Sequence, residues 1–295
     1  MKYERRGMKI IQRLTEDKIN ISFEIFPPKT ESGIDSVMKT AEEISTLDPA
    51  FISVTYGAGG GTSKNTVKIA SHIKNHLGVE SIAHLTCASS TKEEVRKVVS
   101  QLKEEGIENI LALRGDIPEH TDFPAGEQYR YAYELICDLK QQGEFCIGAA
   151  CYPEGHVESV HKQDDIRHLK EKVDCGADFL TTQMFFDNSI LYNFLYQIRE
   201  QGITVPVLPG IMPVTNVKQI KRICQLSGTV LPERLKAVID RFGDRPEAMQ
   251  QAGIIYATEQ IIDLLSNGIH NIHIYSMNKP EIAKAIMTNL SKIIG

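Results

Sequence analysis

Several signals that mark whole classes of proteins are missing from this chain of 295 residues. No apolar stretch approaches the roughly 20 residues that a membrane-spanning helix needs, which argues against a membrane protein. The first 18 residues mix basic with acidic side chains and contain no apolar core, so they do not resemble a secretory signal. We expect residues 1–18 to form a leader helix packed on or near the main domain.

No linker, low-complexity tract or block of like charge interrupts the chain, so we expect a single domain over residues 1–295. The net charge is also small, because 33 Lys and Arg face 38 Asp and Glu and leave −5. A weakly acidic protein is a poor match for nucleic acid or for an anionic membrane. An anionic cofactor is still compatible with this charge, since a few local cations and backbone amides can hold it.

Cysteine pairs of the CxxC type are absent as well. The cysteines stand apart in apolar or helical contexts, namely Cys87, Cys137, Cys146, Cys151, Cys175 and Cys224. We therefore expect reduced thiols in a cytoplasmic enzyme. An alternative is a metal site in which strand ends bring four ligands together: His84, Cys87, Cys151 and His156. The lack of paired ligand spacing disfavours that alternative, and we predict no metal.

Eight short apolar runs recur along the chain, and almost every one stops on a polar residue. They are Ile19–Phe26, Phe51–Tyr56, Ser81–Thr86, Ile110–Arg114, Phe145–Tyr152, Phe179–Gln183, Val205–Ile211 and Ile272–Tyr275. Amphipathic helical segments separate the runs, as expected for parallel strands joined by right-handed crossovers. A longer gap over residues 215–266 predicts extra helices before the eighth strand. The pattern is typical of a single (β/α)8 TIM barrel, an α/β fold whose strands point their carboxyl ends at one mouth.

The main structural alternative is a doubly wound sheet, which also alternates strands with helices. That fold usually places a glycine fingerprint after its first strand, whereas here the first run ends Glu24-Ile25-Phe26-Pro27-Pro28. The segment Thr91–Gly106 illustrates the helices that we expect around a barrel. Thr91 and Glu94 form a capping box, and Gly106 ends the helix.

Glu24 is a carboxylate within an otherwise apolar strand, between Phe23 and Ile25. Burying a charge is costly, so such a group is usually paired, protonated or functional. Apolar surroundings favour the protonated carboxyl, which suits a general acid. The alternative is a structural glutamate that hydrogen-bonds to a neighbouring strand.

Two loops that follow predicted strands carry further candidates. The glycines of Gly57-Ala58-Gly59-Gly60-Gly61 would let backbone approach a ligand closely, although the loop matches no nucleotide-binding fingerprint and a plain flexible loop is equally compatible. Leu113-Arg114-Gly115-Asp116 places two charges at the end of the fourth strand. At a barrel mouth these charges favour a functional role over an exposed Arg–Asp pair.

Polar groups also cluster around the fifth and sixth strands. Tyr152, His156, Asp165 and Lys172 supply aromatic, imidazole, carboxylate and ammonium groups, although a solvated helix face would also explain the last two. Gln183 places an amide at the end of the sixth strand. An amide can both donate and accept hydrogen bonds, as recognition of a heterocycle's edge requires.

Together these segments resemble the catalytic domain of the methylenetetrahydrofolate reductases, which are flavin-dependent barrel enzymes. The matching segments run in order over nearly the whole chain: Phe23-Glu24-Ile25-Phe26-Pro27-Pro28, Ser53-Val54-Thr55-Tyr56-Gly57-Ala58, Ala83-His84-Leu85-Thr86-Cys87, Leu113-Arg114-Gly115-Asp116, Tyr152-Pro153-Glu154, Lys172-Val173-Asp174, Thr182-Gln183 and Pro209-Gly210-Ile211. The resemblance implies FAD bound without a Rossmann domain and reduction of 5,10-methylenetetrahydrofolate to 5-methyltetrahydrofolate by NAD(P)H. It further implies ping-pong kinetics and a homo-oligomer.

By the same resemblance, Glu24 is the proton donor and Asp116 stabilises the cationic intermediate beside the flavin. The implied FAD contacts are Tyr56, Ala58, His84, Arg114, Gly115, Asp116, Tyr131, Ala132, Tyr152, His156, Asp165 and Lys172. The implied substrate contacts are Thr55 and Gln183 for nicotinamide or folate, and Gln219 and Lys279 for folate.

The chain departs from the family pattern at four of its residues. Ile223 stands where bacterial members carry a Phe that stacks on nicotinamide or pterin, and Lys279 stands in place of an Arg. His168 and Glu171 differ from the Asn and the basic residue found near the FAD phosphates, so FMN is an alternative cofactor. Ile223 keeps open a second hypothesis, in which a partner protein supplies the electrons. A third hypothesis is a flavin-free, metal-dependent barrel lyase or hydrolase that uses His84, Cys87 and His156.

Overall fold

A computed structural model describes residues 9–28, 30–56, 63–117, 123–124, 126–159 and 161–294. Within these residues nine strands form one parallel sheet. They are β1 Asn20–Ile25, β2 Ile52–Val54, β3 Ser81–Thr86, β4 Asn109–Leu113, β5 Cys146–Cys151, β6 Phe179–Thr182, β7 Val207–Leu208, β8 Gly210–Ile211 and β9 Asn271–Tyr275.

The sheet closes on itself because β7 and β8 are two halves of one strand, separated by Pro209. β7 pairs with β6 and β8 pairs with β9, while β9 also pairs with β1. Proline has no N–H to donate to the ladder, but its carbonyl oxygen accepts from the backbone N–H of His273 at 2.9 Å. The predicted (β/α)8 barrel is confirmed, with its seventh strand interrupted at the proline.

Helices follow the strands and surround the barrel. The α-helices are α1 Ile10–Leu14, α2 Ile34–Ser45, α3 Ser63–Ser71, α4 Lys92–Glu104, α5 Ala132–Gln142, α6 Lys162–Asp174, α7 Asn188–Glu200, α8 Val217–Ser227, α9 Glu233–Phe242, α10 Pro246–Ser266 and α11 Pro280–Leu290. A 3₁₀ turn spans Glu31–Gly33, and α3 continues into a π-helical turn over His72–His76. α8, α9 and α10 fill the long gap before the last strand, as the sequence predicts. None of the described helices has the length and apolar character needed to cross a membrane.

Each strand has one face toward the helices and one toward the barrel interior, because side chains alternate along a strand. Register partners share a face: Phe23 lies opposite Ile52, and Ile25 lies opposite Val54. All four belong to the main apolar core that the helices cover. Their neighbours in sequence therefore point inward, and these include Glu24.

The amino end of the barrel is closed by apolar side chains. Ile10 and Leu14 of α1 pack with interior residues such as Leu111 and Phe179. Gly148 makes room for this layer, since a Cβ at that position would lie 2.4 Å from the ring of Phe179. Residues 1–8 of the expected leader helix lie outside the described residues, and the helix that is described covers Ile10–Leu14.

Local predictions had mixed outcomes. The capping box of Thr91 and Glu94 is present, and Gly106 follows the helix with φ +70°. The expectation of six reduced cysteines was wrong, because Cys137 of α5 and Cys175 at the end of α6 form a disulfide. These cysteines are 38 residues apart in sequence. Only the packing of α5 against α6 brings them together, so spacing along the chain gave no signal.

Candidate active site at the barrel mouth

Glu24 points into the barrel interior near its mouth, and two imidazoles from other strands approach its carboxylate. Its Oε2 lies 3.6 Å from Nε2 of His84 on β3 and 3.9 Å from Nε2 of His273 on β9. The Glu24 side chain is 17% exposed, whereas those of His84 and His273 are 6% and 3% exposed. Burial lowers the pKa of His84 to about 4, so this imidazole is neutral near pH 7. Its Nε2 has no hydrogen-bond partner among the described residues.

His273 contacts two buried serines, Ser22 on β1 and Ser53 on β2. The hydroxyl of Ser22 donates to the carbonyl oxygen of Ile272 at 3.1 Å and lies 2.8 Å from Nδ1 of His273. Since a serine has only one hydroxyl hydrogen and Ser22 uses it on this carbonyl, we assign the proton of His273 to Nδ1, from which Ser22 accepts. Nε2 of His273 then carries a lone pair, to which Ser53 donates at 3.2 Å.

The strand that carries Glu24 is fixed at its carboxyl end by the loop after β9. The hydroxyl of Ser276 donates to the carbonyl oxygen of Glu24 at 2.7 Å. The side-chain amide of Asn278 pairs with the backbone of Phe26 in both directions, at 2.9 and 2.8 Å. These three bonds extend the β1–β9 ladder and hold the Glu24 backbone rigidly.

A cavity of about 730 Å³ opens at the same end of the barrel, at the carboxyl ends of β4 and β5 and against α5 and α6. Most of the predicted cofactor contacts line it: Arg114, Gly115, Asp116, Tyr131, Ala132, Tyr152, His156, Asp165 and Lys172. Tyr56 and His84 lie outside its lining, and Ala58 with the whole loop 57–62 falls outside the described residues. The volume is in the range of small-molecule and cofactor sites.

Arg114 is bound by a carboxylate that the sequence analysis did not name. Its NH1 and NH2 groups donate to the two carboxylate oxygens of Glu158 at 2.6 and 2.7 Å. This contact raises the pKa of Arg114 and lowers that of Glu158. The alternative of an exposed ion pair between Arg114 and Asp116 is therefore wrong. Asp116 is exposed at the cavity wall. Between them Gly115 adopts φ +79° and packs against Thr86.

The inner end of the cavity combines a buried cation with a phenol. Lys172 donates from Nζ to the carbonyl oxygen of Ala150 at 2.9 Å and lies 5.9 Å from the ring centroid of Tyr152. Burial lowers the pKa of Lys172 and raises that of Tyr152 to about 12. Lys172 and Asp165 thus belong to a cavity wall, not to a solvated helix face. Asp165 accepts from the backbone N–H of His156 at 2.6 Å.

The outer end of the cavity offers an aromatic platform. The rings of Tyr131 and His168 stack with centroids 6.2 Å apart, and Tyr131 stacks on Tyr133 at 5.8 Å. Glu171 lies 3.1 Å from Nδ1 of His168. The two departures from the family pattern on α6 therefore contact each other.

The predicted substrate contacts lie on the other strands of the mouth. Lys279 Nζ donates to the hydroxyl of Thr215 at 3.2 Å, and Gln219 lies in the first turn of the helix capped by Asn216. Gln183 is half-buried at the end of β6, and its Oε1 accepts from the next backbone N–H. Thr55 is half-buried after β2.

Ile223 packs on the apolar cluster of α8, α9 and α10. The metal hypothesis has no geometric support within the described ranges, where no three His, Cys, Asp or Glu side chains converge. Cys87 and Cys151 belong to the outer core, whereas His84 points inward. Burial raises the pKa of both thiols to about 12.

Comparison with known proteins agrees with this geometry. The family model described as methylenetetrahydrofolate reductase matches residues 9–291. The chain belongs to this family. It is 36% identical to 5,10-methylenetetrahydrofolate reductase of Escherichia coli (strain K12) over 275 residues, covering 93% of this chain and 92% of that one. It is also 36% identical to methylenetetrahydrofolate reductase (NADH) 1 of Zea mays over an alignment of 303 positions, which covers 97% of this chain and 51% of that protein. The chain thus spans about half the length of its plant relatives in the reductase family.

Solved structures support the fold. A protein from Clostridium thermocellum, described as binding two copies of 5-methyl-5,6,7,8-tetrahydrofolic acid, superposes with a TM-score of 0.66 at 18% identity, covering 96% of this chain and 99% of that chain. Oxaloacetate acetylhydrolase superposes with a TM-score of 0.57 at 12% identity, and the superposition covers 96% of this chain and 84% of that chain.

Sequence reasoning missed several residues of the candidate site. His273 lies next to Glu24 and contacts Ser22 and Ser53, and Glu158 binds Arg114. His273 carried a signal that could have been used, because it is a polar residue between Ile272 and Ile274 in an apolar strand. Glu158 carried none, since it lies in a loop among other polar residues.

Proposed function

We propose that this protein reduces 5,10-methylenetetrahydrofolate to 5-methyltetrahydrofolate, with electrons from NAD(P)H that pass through FAD in a ping-pong reaction. The observation that carries the proposal is the position of Glu24. The Glu24 carboxyl lies in the barrel interior within 3.9 Å of His84 and His273, and a cavity that suits a large anionic cofactor opens at the same end of the barrel. Membership of the reductase family supports the same conclusion.

FAD fits the chemistry of the cavity walls. The stacked rings of Tyr131 and His168 suit the flat adenine, and Arg114 and Lys172 provide cations for the phosphates. Asp165 provides an acceptor for hydroxyl groups. When bound, the flavin would supply the hydride carrier between the two substrates.

Glu24 would deliver a proton to the folate, so that the five-membered ring opens to an iminium cation. The partial burial of Glu24 limits the access of water to this proton. Asp116, an exposed carboxylate on the cavity wall, would stabilise the positive charge that develops on the substrate.

The substrates would take turns at one face of the cofactor. Thr55 and Gln183 would contact nicotinamide or the pterin, and Gln219 and Lys279 would bind the folate. The support for this assignment is that Lys279 contacts Thr215 at the entry to α8, which carries Gln219. Both residues thus approach the mouth from the same side.

An anaerobic absorbance experiment tests the proposal. The purified protein should show the bands near roughly 380 and 450 nm that oxidised flavins share. NADH or NADPH should bleach them, and 5,10-methylenetetrahydrofolate should restore them in a separate step. A flavin that only chemical reductants bleach, but that the folate reoxidises, would favour a partner protein as electron donor. A colourless protein that does not take up FAD would refute the proposal.

A further inference from the structure

The imidazole of His273 is a buried titratable group that the proposed reaction does not use. Its Nε2 lies 3.9 Å from Oε2 of Glu24, and its side chain is 3% exposed. The serines beside it, Ser22 and Ser53, are buried and face no substrate directly. The three residues hydrogen-bond to one another through the barrel interior. An apolar layer would fill this space at lower cost, so the polar group calls for an explanation.

The tautomer of His273 determines what it offers to Glu24. Because Ser22 uses its hydrogen on the Ile272 carbonyl, Nδ1 of His273 carries the proton and Nε2 carries a lone pair. That nitrogen has one lone pair, so a protonated Glu24 carboxyl would donate to it in place of the Ser53 hydroxyl, whereas a carboxylate oxygen is repelled by it. The separation of 3.9 Å exceeds hydrogen-bonding distance by about 1 Å, and such contacts commonly tighten when a substrate binds.

We propose that His273, held between Ser22 and Ser53, is a positioning residue that orients the Glu24 carboxyl and stabilises its proton-donating form. The inference rests on the proposed function. In each turnover the proton leaves Glu24 for a nitrogen of the folate, and water at the barrel mouth returns one to the carboxylate. In this step His273 accepts a hydrogen bond and transfers no proton.

The other titratable groups around Glu24 are few among the described residues. They are His84 on β3 and Tyr275 on β9, beside His273 itself. Burial keeps His84 neutral and raises the pKa of Tyr275, whose hydroxyl donates to the Thr182 carbonyl at 2.5 Å. Both therefore stay uncharged near pH 7. In the proposed step the Glu24 carboxyl is therefore the group of this centre that gives up a proton.

Two substitutions distinguish the contribution of Nδ1 from that of Nε2. The amide of His273→Asn reaches the position of Nδ1 and can still bond to Ser22, but it leaves the Nε2 position empty. The amide of His273→Gln reaches the Nε2 position. His270→Asn, which changes the partly exposed histidine just before the start of β9, is the matched control.

The test measures the two half-reactions separately by stopped-flow absorbance between pH 5.5 and 9, a range of about 1 unit or more either side of neutrality. Reduction of the flavin by NADH, or by stoichiometric dithionite, should be nearly unchanged in His273→Asn. Its reoxidation by 5,10-methylenetetrahydrofolate should slow about tenfold to a hundredfold at pH 7. The midpoint of its pH profile should move to lower pH, and His273→Gln should recover part of the rate.

Several results would overturn the inference. Equal losses in both half-reactions, together with lower flavin content and thermal stability, would make His273 a packing residue. An unchanged pH profile of flavin reoxidation would also make His273 a packing residue. If His273→Asn does not fold, Ser53→Ala provides the comparison, and an unaltered folate half-reaction in that variant would reject the role. A wild-type protein that the folate does not reoxidise would instead refute the proposed function.

Discussion

Glu24 and the cavity beside β4 and β5 lie at the same end of the barrel, yet their polar groups are held in different ways. Around Glu24 the supporting contacts are neutral hydrogen bonds to buried serines and to backbone, from β1, β2 and β9. Around the cavity the contacts are between charges, such as Arg114 with Glu158. Charged pairs near the surface can exchange partners when a ligand arrives, whereas a buried neutral network keeps its geometry.

We infer from this difference that the two regions have different roles. The rigid centre suits a step whose geometry must be reproduced in every turnover, such as proton transfer. The charged cavity suits binding of an anionic cofactor, because Arg114 and Lys172 can turn from protein partners to phosphates. Substitutions in the two regions should therefore separate catalysis from cofactor affinity.

The largest effect is expected for Glu24→Gln. Gln keeps the shape of the side chain but has no acidic proton, so folate-dependent reoxidation of the flavin should fall about 10²–10⁴-fold. Reduction by NADH should stay largely intact, as stopped-flow bleaching would measure. Glu93→Gln, on the exposed face of α4, serves as the control. An equal loss in both half-reactions would make Glu24 a structural residue. The distinction between a catalytic centre at Glu24 and a cofactor-binding cavity would then be wrong.

The disulfide between α5 and α6 should matter for stability more than for chemistry. Cys137→Ser should lower the free energy of unfolding by about 2–4 kcal/mol, since the bridge closes a loop of 38 residues in the unfolded chain. Urea denaturation should show the same loss when a reductant is added to the wild type, and no further loss when it is added to the variant. Cys224→Ser, which removes a free thiol, is the control. A wild type that is insensitive to reductant would show that the bridge is not formed.

Lys172→Met tests whether the cavity binds FAD. It removes the buried cation while keeping much of the side-chain volume, so the dissociation constant of FAD should rise about tenfold to a hundredfold. Flavin fluorescence titration measures this change. Lys170→Met, two residues away and paired with Asp174 on the surface, should bind FAD like the wild type. Once the cavity is saturated with FAD, the folate half-reaction should recover, which distinguishes Lys172 from Glu24.

The residues that sequence reasoning could predict were those whose position follows from the ends of strands. Arg114 and Tyr152 each end a run of apolar residues, and Glu24 lies two residues before the end of one, so the barrel alone puts them near one mouth. Glu158 and the Cys137–Cys175 pair were not predictable in this way. Their partners are set by loop conformation and by helix packing between segments distant in sequence, which periodicity does not encode.

The smallest effect concerns the Arg114–Glu158 pair. Arg114 lowers the pKa of Glu158 in the folded protein, so the pair adds stability above the unfolded pKa of about 4.3 and loses it as the pH falls through the folded value. Because Glu158 is 54% exposed, Glu158→Gln should cost less than about 1 kcal/mol at pH 7. Thermal melts of variant and wild type should converge in acid. Since the variant frees Arg114 for phosphate, FAD should bind a few-fold more tightly, and weaker binding would show that Glu158 itself holds the cavity in shape.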